Sequence, residues 1–122
     1  MSPSYHFIVA DDDASIRALI VRIVAQTYPT AVISQVSDGR QALDIYEQQG
    51  ADLLITNHTM PRLSGVDLVR ILRARQVTIP IVMVSALPTQ AAEALSAGVT
   101  HFLLKPFTLT NLVHVLTSLL PP

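Results

Sequence analysis

Four apolar stretches of the sequence end in polar residues whose chemistry suits phosphate. These residues are two neighbouring acids, an amide, a hydroxyl and the only lysine of the chain: Asp11, Asp12, Asn57, Ser85 and Lys105. Neighbouring carboxylates bind a hard divalent cation such as Mg²⁺, a hydroxyl donates to a phosphoryl oxygen, and a lysine pairs with phosphate or carboxylate. A central carboxylate would accept a phosphoryl group as an acyl phosphate. Because the central residue is Asn57, the pattern has every part of a phosphoacceptor site except the acceptor.

Taken singly, each of these residues has an ordinary structural explanation. The acidic triplet at 11–13 would usually be a solvated loop or a helix cap, and Asp13 is placed to cap the helix that follows. A single serine at a strand end is usually structural, and a single lysine is usually a solvated surface charge. The functional interpretation depends on finding all of them together at four strand ends.

The elements that must position these residues alternate along the chain. Apolar runs of strand length lie at 5–10, 31–36, 52–56, 79–86 and 100–104. A helix is predicted after Asp13 from the spacing of Ile16, Leu19, Ile20, Ile23 and Val24, and further helices are predicted at 40–50, 65–75, 89–98 and 108–120. Five β–α repeats predict an α/β domain with a doubly wound parallel sheet covered on both faces. Ligands of such sheets bind beyond the carboxyl ends of the strands.

Length and composition exclude several classes of protein. The 122 residues fit a single domain, 1–122, and the net charge of -1 does not indicate a nucleic-acid binder. The absence of cysteine excludes disulfides and thiolate zinc sites. No apolar run is long enough to span a membrane, and no signal peptide is evident, so a cytoplasmic protein is expected. Only 14% of the residues are charged, which hints at an apolar face covered by a partner.

The sequence resembles a known family in four fragments and in the order of its elements. The fragments are "IVADDD", "DLLITNHTMPRLSG", "PIVMVSA" and "AGVTHFLLKPF". Together they resemble the receiver domain of bacterial two-component response regulators, of the chemotaxis-regulator type, over almost the full length. The resemblance implies a flavodoxin-like (βα)5 fold with strand order 2-1-3-4-5, and a regulatory module in two-component signal transduction and phosphorelay rather than an enzyme.

The resemblance also assigns roles by position. Asp11 and Asp12 resemble the magnesium-binding acid pair, Thr59 would offer its backbone carbonyl to the metal, and Asn57 occupies the phosphoacceptor position. Ser85 resembles the switch hydroxyl, Lys105 the phosphate-pairing lysine, and Phe102 the switch aromatic. Pro61 and Gly65 resemble loop residues of the family, and the Lys105–Pro106 bond is expected to be cis.

Asn57 departs from the family, which has an aspartate at this position. An amide cannot form the acyl phosphate, so residue 57 is not competent as an acceptor. Loss of the carboxylate is expected to weaken Mg²⁺ binding and to leave Lys105 without its ionic partner. Asn is nearly isosteric with Asp, so the fold is expected to survive. Unlike an ionised Asp, it can donate a hydrogen bond to Asp11 or Asp12.

Several explanations of Asn57 remain open. The favoured one is an atypical receiver that acts through protein–protein contacts. An ordinary receiver that carries an engineered Asp-to-Asn change is the main alternative. Phosphorylation at Thr56, Thr59 or His58 is less favoured, because those side chains are not expected to aim at the metal. A phosphoryl-transfer enzyme of similar fold is also disfavoured, since it too would need a nucleophilic aspartate. A flavin site is rejected because the acidic triplet would repel phosphate.

The resemblance implies protein partners rather than nucleic acid or membrane. The candidates are a histidine kinase, a phosphotransfer protein or another receiver. The family's output face, formed by the fourth helix, fifth strand and fifth helix, is poor in charge here, so a salt-bridged dimer is not expected, while a homodimer with an apolar contact stays a candidate. On the fifth helix, Leu112, Leu116 and Leu119 are predicted to be core, and His114 and Val115 to be available to a partner.

Overall fold

A computed structural model of the chain describes residues 4–122. Its five strands are β1 (His6–Ala10), β2 (Val32–Val36), β3 (Leu53–Asn57), β4 (Ile81–Ser85) and β5 (His101–Leu104). Its five helices are α1 (Ala14–Thr27), α2 (Gly39–Gln49), α3 (Gly65–Ala74), α4 (Ala91–Ala97) and α5 (Leu109–Leu119). A 3-10 turn, Pro88–Gln90, precedes α4. Every predicted strand and helix is therefore present. Most of their first and last residues differ from the predicted ones by one or two positions.

The sheet has the predicted topology. All pairings are parallel, and the strands lie in the order β2-β1-β3-β4-β5. In the register, Ala10 pairs with Thr56 and Asn57 pairs with Val84. The carboxyl ends of β1, β3 and β4 therefore meet at one edge of the sheet. Asp11, Asn57 and Ser85, the polar residues at the ends of these three strands, lie along this edge.

Alternation of side chains along each strand divides the core into two layers. Phe7, Val9 and Ile55 face α1 and α5 on one side of the sheet. Ile8 and Leu54 face α2, α3 and α4 on the other side. Because both faces of the central strands are covered, β3 and β4 are buried along almost their whole length, as their continuous apolar runs predict.

Side-chain caps fix the start of four of the helices. Asp13 accepts hydrogen bonds from the backbone N–H groups of Ser15 and Ile16, which confirms its predicted role at the start of α1. Asp38, Ser64 and Thr108 cap α2, α3 and α5 in the same way. The caps of α1 and α3 follow the carboxyl ends of β1 and β3, so they fix the direction in which the chain leaves the site edge.

One predicted helix position is wrong, and one apolar residue of the α1 pattern is exposed. Val115 is buried rather than available to a partner, because it completes the stripe formed by Leu112, Leu116 and the half-buried Leu119. Leu19 belongs to the apolar pattern of α1, yet its side chain is 43% exposed. Ile20, Ile23 and Val24 cover the sheet beneath α1 and leave Leu19 at the border of that stripe.

The amino-terminal end of the sheet is closed by aromatic rings. Tyr28, at the end of α1, packs against Phe7 with ring centroids 4.9 Å apart and against Tyr5 at 5.7 Å. The hydroxyl groups of Tyr5 and Tyr28 donate to the backbone carbonyls of Pro121 and Leu120, each over 2.8 Å. This aromatic cluster ties the segment after α5 to the start of β1. Among residues 4–122, no helix is long and apolar enough to cross a membrane.

Candidate functional site

Three of the predicted site residues converge at the carboxyl edge of the sheet. The Lys105 ammonium donates to a carboxylate oxygen of Asp11 over 3.2 Å and to the side-chain oxygen of Asn57 over 3.3 Å. The expectation that Lys105 lacks an ionic partner is wrong, because Asp11 forms a salt bridge with it. The ends of β1, β3 and β5 are thus joined by one cation.

Asn57 uses both hydrogens of its amide nitrogen. The Nδ2 atom donates to Oδ1 of Asp12 over 3.2 Å and to the backbone carbonyl of Thr59 over 3.0 Å. The first of these bonds confirms the predicted donation to the acid pair. A side-chain amide has two N–H donors, so Nδ2 is fully satisfied. With Lys105 on the side-chain oxygen, Asn57 is hydrogen-bonded at both ends of its amide.

Asp11 is the buried acid of the pair, and Asp12 is exposed. Burial is the main cause that raises the pKa of Asp11, while the backbone N–H of Asp13 and the Lys105 ammonium act against it. One Asp11 oxygen accepts from the Asp13 N–H over 2.9 Å, and the other accepts from Lys105. Both oxygens of the buried carboxylate are therefore occupied by donors of the chain itself.

Ser85 lies at the end of β4, but its side-chain hydroxyl does not bond to the other site residues. Its buried hydroxyl donates to the side-chain oxygen of Gln90 and accepts from the backbone N–H of Leu87. The Ser85 carbonyl accepts from the backbone N–H of Lys105 over 2.7 Å. Gln90 is not predicted as a site residue. Nothing in the sequence indicates that the turn before α4 brings its side chain to Ser85 at the end of β4.

Glycine allows the β3–α3 loop to pack tightly at the site. A Cβ added to Gly65 would lie 2.1 Å from the backbone oxygen of Asn57, and one added to Gly39 would lie 2.2 Å from that of Leu63. The side chain of Arg62 donates to the buried Asp38 over 3.0 Å and ties the loop to α2. The resemblance pointed to Gly65, whereas Gly39, Asp38 and Arg62 were not found from the sequence.

An apolar groove lies beside the pocket. It has a volume of about 270 Å³ and runs between α1 and the segment that follows β5. Its lining includes Ile16, the exposed Leu19, and Phe107, and the stem of Lys105 forms part of its wall. The Lys105–Pro106 bond beside it is cis, as expected. The groove and the polar pocket therefore share one residue.

Comparison with known families decides what kind of domain carries this site. The model of the response regulator receiver domain matches residues 7–117. The chain belongs to this family. All ten strands and helices lie wholly or almost wholly inside the matched range, so the family covers the whole fold described above.

Two curated relatives show the range of proteins in which similar receiver domains occur. The alkaline phosphatase synthesis transcriptional regulatory protein SphR of Synechococcus elongatus is 31% identical over 98% of this chain, which covers 50% of that protein. The chemotaxis protein CheY of Thermotoga maritima is 27% identical over 91% of this chain and 93% of that protein. The chain thus spans about half the length of SphR and nearly the whole of a single-domain regulator.

Solved structures agree on the fold. The chemotaxis response regulator CheY4 of Vibrio cholerae superposes with a TM-score of 0.87 and 25% identity over 97% of this chain and 100% of that one. The receiver domain of the sensor histidine kinase PA1611 from Pseudomonas aeruginosa superposes with a TM-score of 0.85 and 24% identity over 96% of this chain and 98% of that one. That second structure has a magnesium ion coordinated in its active site cleft.

Four of the oxygens that the resemblance assigns to magnesium accept hydrogen bonds within the chain, so an ion would have to compete with these donors. Oδ1 of Asp12 and the Thr59 carbonyl both accept from Asn57, and both oxygens of Asp11 accept from other donors. No group of three or more His, Cys, Asp and Glu side chains in the described part of the chain is arranged to hold a metal. Weak Mg²⁺ binding stays a prediction.

Phe102 lies on β5, beside the site edge. It pairs in register with Met83 of β4, and its half-buried ring packs against the core layer of α2, α3 and α4. Its assignment as the switch aromatic rests on the resemblance and stays a prediction.

Proposed function

We propose that residues 1–122 form a single, atypical receiver module that regulates through protein–protein contacts, without a phosphoryl group on residue 57. The observation that carries this proposal is the hydrogen bonding of Asn57. The resemblance assigns its side chain to the acceptor position, and the amide nitrogen is directed at Asp12 and Thr59 and the oxygen at Lys105. Nothing in this arrangement supplies a nucleophile.

The chemistry of the amide supports the same conclusion. A carboxylate attacks phosphorus with an anionic oxygen and becomes a neutral acyl phosphate linkage. The amide oxygen of Asn57 is uncharged, and its attack would place a positive charge on the group. The amide nitrogen has its lone pair delocalised into the carbonyl, and both of its hydrogens are bonded. Neither atom is an acceptor of phosphoryl groups.

The contacts of Thr56 and His58 do not favour either residue as a replacement for residue 57. Thr56 is fully buried, and its hydroxyl donates to the backbone oxygen of Asn57 over 2.9 Å, so it does not face the pocket. The Nε2 atom of His58 lies 3.8 Å from the Glu93 carboxylate on α4, so the contact that the structure shows for this ring is with Glu93 rather than with the acid pair. These contacts weigh against an acceptor at either residue.

An engineered Asp-to-Asn change in an ordinary receiver remains the main alternative. The arrangement that supports it is the short contact of Lys105 with both Asp11 and residue 57, a contact that an aspartate would make equally well. Under this alternative, too, the chain with Asn57 cannot accept a phosphoryl group on residue 57. A phosphoryl-transfer enzyme is disfavoured by the same missing nucleophile.

Apolar surface supports a role in protein contacts. Leu95 on α4, Leu104 on β5 and Leu109 at the start of α5 are each more than 40% exposed, and they lie on the three elements of the predicted output face. The groove beside Lys105 offers a second apolar surface at the pocket rim. A histidine kinase, a phosphotransfer protein or another receiver, including a second copy of this chain, would suit these surfaces. The proposed setting is the cytoplasm.

Chemical phosphorylation tests the proposal. The native chain and an Asn57→Asp variant are incubated with acetyl phosphate and MgCl2, and their intact masses are measured. We expect a phosphoryl adduct on the variant only, because the lysine and the acid pair are already in position around residue 57. Peptide mapping locates any adduct. An adduct on the native chain would overturn the proposal, and unmodified Asn57→Asp would show that the pocket has changed beyond residue 57.

A further inference from the structure

The amide nitrogen of Asn57 lies between two oxygens that a divalent cation would share. It donates one hydrogen to Oδ1 of Asp12 over 3.2 Å and the other to the carbonyl of Thr59 over 3.0 Å. These are the oxygens of an exposed carboxylate after β1 and of the β3–α3 loop. One NH2 group therefore joins the two segments that a bound ion would otherwise hold together.

The two carboxylate oxygens of Asp11 and the side-chain oxygen of Asn57 are also bonded within the chain. Asp11 accepts from the Asp13 backbone at one oxygen and from Lys105 at the other, and Lys105 also donates to the Asn57 oxygen. Because Lys105 is only 17% exposed and Asp11 only 1%, water competes little for these bonds. The result is a connected network that runs from Asp12 through Asn57 and Lys105 to Asp11.

We propose that the Asn57 amide takes the place of the divalent cation and closes the pocket to it. A cation that entered would have to break both Nδ2 hydrogen bonds and turn the amide, since an N–H donor directed at a metal site repels the ion. Two carboxylates and one ammonium remain in the pocket, which leaves the acid pair partly neutralised without metal. The module then holds its pocket geometry independently of Mg²⁺.

This inference rests on the pocket assigned under the proposed function, but it differs from a simple loss of one ligand. If Asn57 only lacked a carboxylate, shortening it to alanine would leave metal affinity unchanged or lower it, because the amide oxygen is a potential ligand. If the amide blocks the site, shortening it to alanine frees Oδ1 of Asp12 and the Thr59 carbonyl. Metal affinity then rises.

The decisive experiment compares the native chain with Asn57→Ala and Asn57→Asp. Each protein is titrated with MgCl2 by calorimetry, and paramagnetic Mn²⁺ is added to a ¹⁵N-labelled sample to map which amide signals broaden. Circular dichroism establishes that each variant is folded. Asp12→Ala, made together with Asn57→Ala, serves as the control that the ion binds at this pocket.

We expect the native chain to show no binding heat at millimolar Mg²⁺ and no Mn²⁺ broadening localised to residues 12, 57 and 59. Asn57→Ala should bind at least about tenfold more tightly, because loss of a hydrogen bond to a charged group is worth about that factor. Its Asp12→Ala derivative should lose this gain. Asn57→Asp should bind most tightly.

Metal binding by the native chain at the pocket, or an Asn57→Ala variant that binds no better than the native chain, would overturn the inference. If Asn57→Ala does not fold, the side-chain NH2 signal of Asn57 in the native chain is followed during the Mg²⁺ titration, and a saturable shift of that signal would overturn the inference. Both results are independent of phosphoryl labelling. The proposed function can therefore fail while this inference stands, and the reverse also holds.

Discussion

The polar pocket and the face formed by α4, β5 and α5 adjoin each other through β5. The polar side chains of the pocket are hydrogen-bonded within the chain, whereas several apolar side chains of the face are exposed. In the pocket, Lys105 donates to Asp11 and Asn57, and the Asn57 amide donates to Asp12 and Thr59. On the face, Leu95, Leu104 and Leu109 are left exposed with few charges around them. Burial of these exposed side chains by a partner would contribute free energy to the proposed recognition, whereas these bonds of the pocket are already made within the chain.

The largest expected effect tests how rigidly the pocket is packed. Gly65→Ala would place a Cβ 2.1 Å from the backbone oxygen of Asn57, so β3 or α3 must move. We expect a loss of about 3 kcal/mol in the free energy of unfolding, measured by urea denaturation. Gly50→Ala is the control, because its Cβ would meet no atom and only the positive φ of 70° is strained. Equal losses at the two glycines would contradict a close-packed pocket.

Lys105→Met tests the hydrogen-bond network of the pocket. The change leaves the buried Asp11 without its cation and the Asn57 oxygen without a donor. We expect a loss of about 2 kcal/mol in the free energy of unfolding at neutral pH. Lys105→Arg keeps the charge and should lose less. If Lys105→Met is as stable as the native chain, the pocket is not held together by this network.

A smaller, pH-dependent effect is expected from Asp11. Burial raises its pKa above the ordinary 3.8, so the native state binds a proton more readily than the unfolded chain. The free energy of unfolding of the native chain, relative to Asp11→Asn, should therefore fall as pH rises from 3.8 through the raised pKa and then level off. Urea denaturation of both proteins across this range measures the difference. A difference that grows with pH would show that Lys105 outweighs burial.

The smallest effect on stability is expected at the apolar face. Leu104→Glu changes an exposed side chain, so the free energy of unfolding should move by no more than about 0.5 kcal/mol. If copies of the chain associate through this face, sedimentation should show concentration-dependent self-association of the native chain that Leu104→Glu weakens. Val32→Glu on β2, at the opposite edge of the sheet, is the matched control. A native chain that stays monomeric would assign the face to a different protein.

The sequence predicts the fold well because burial of the central strands on both faces requires apolar residues at successive positions. β3 and β4 are buried on both faces, and their residues form continuous apolar runs. The same parallel order explains why strand-end residues such as Asp11, Asn57 and Lys105 could be placed together before any coordinates were known. The family resemblance then supplied their expected roles.

The bonds within the site were less predictable, because they depend on side-chain direction rather than on position along the chain. Ser85 is at its expected strand end, but the folding back of the turn before α4 gives its hydroxyl to Gln90. The sequence does not predict whether the Lys105 ammonium bonds to Asp11 or to residue 57, and in the structure it donates to both. The spacing of Leu112, Leu116 and Leu119 predicts an apolar stripe that leaves Val115 outside. In the structure the stripe is wider and includes Val115.

The aromatic cluster at the amino-terminal end of the sheet has a consequence for optical measurements. The chain has no tryptophan, and two of its three tyrosines, Tyr5 and Tyr28, lie in that cluster at the opposite end of β1 from Asp11. Burial raises the pKa of Tyr28 to about 12, with a further contribution from Tyr5, so its phenol ionises late in an alkaline absorbance titration. Ultraviolet emission from Tyr5 and Tyr28 will therefore report on unfolding at that end of the sheet rather than on changes around residue 57.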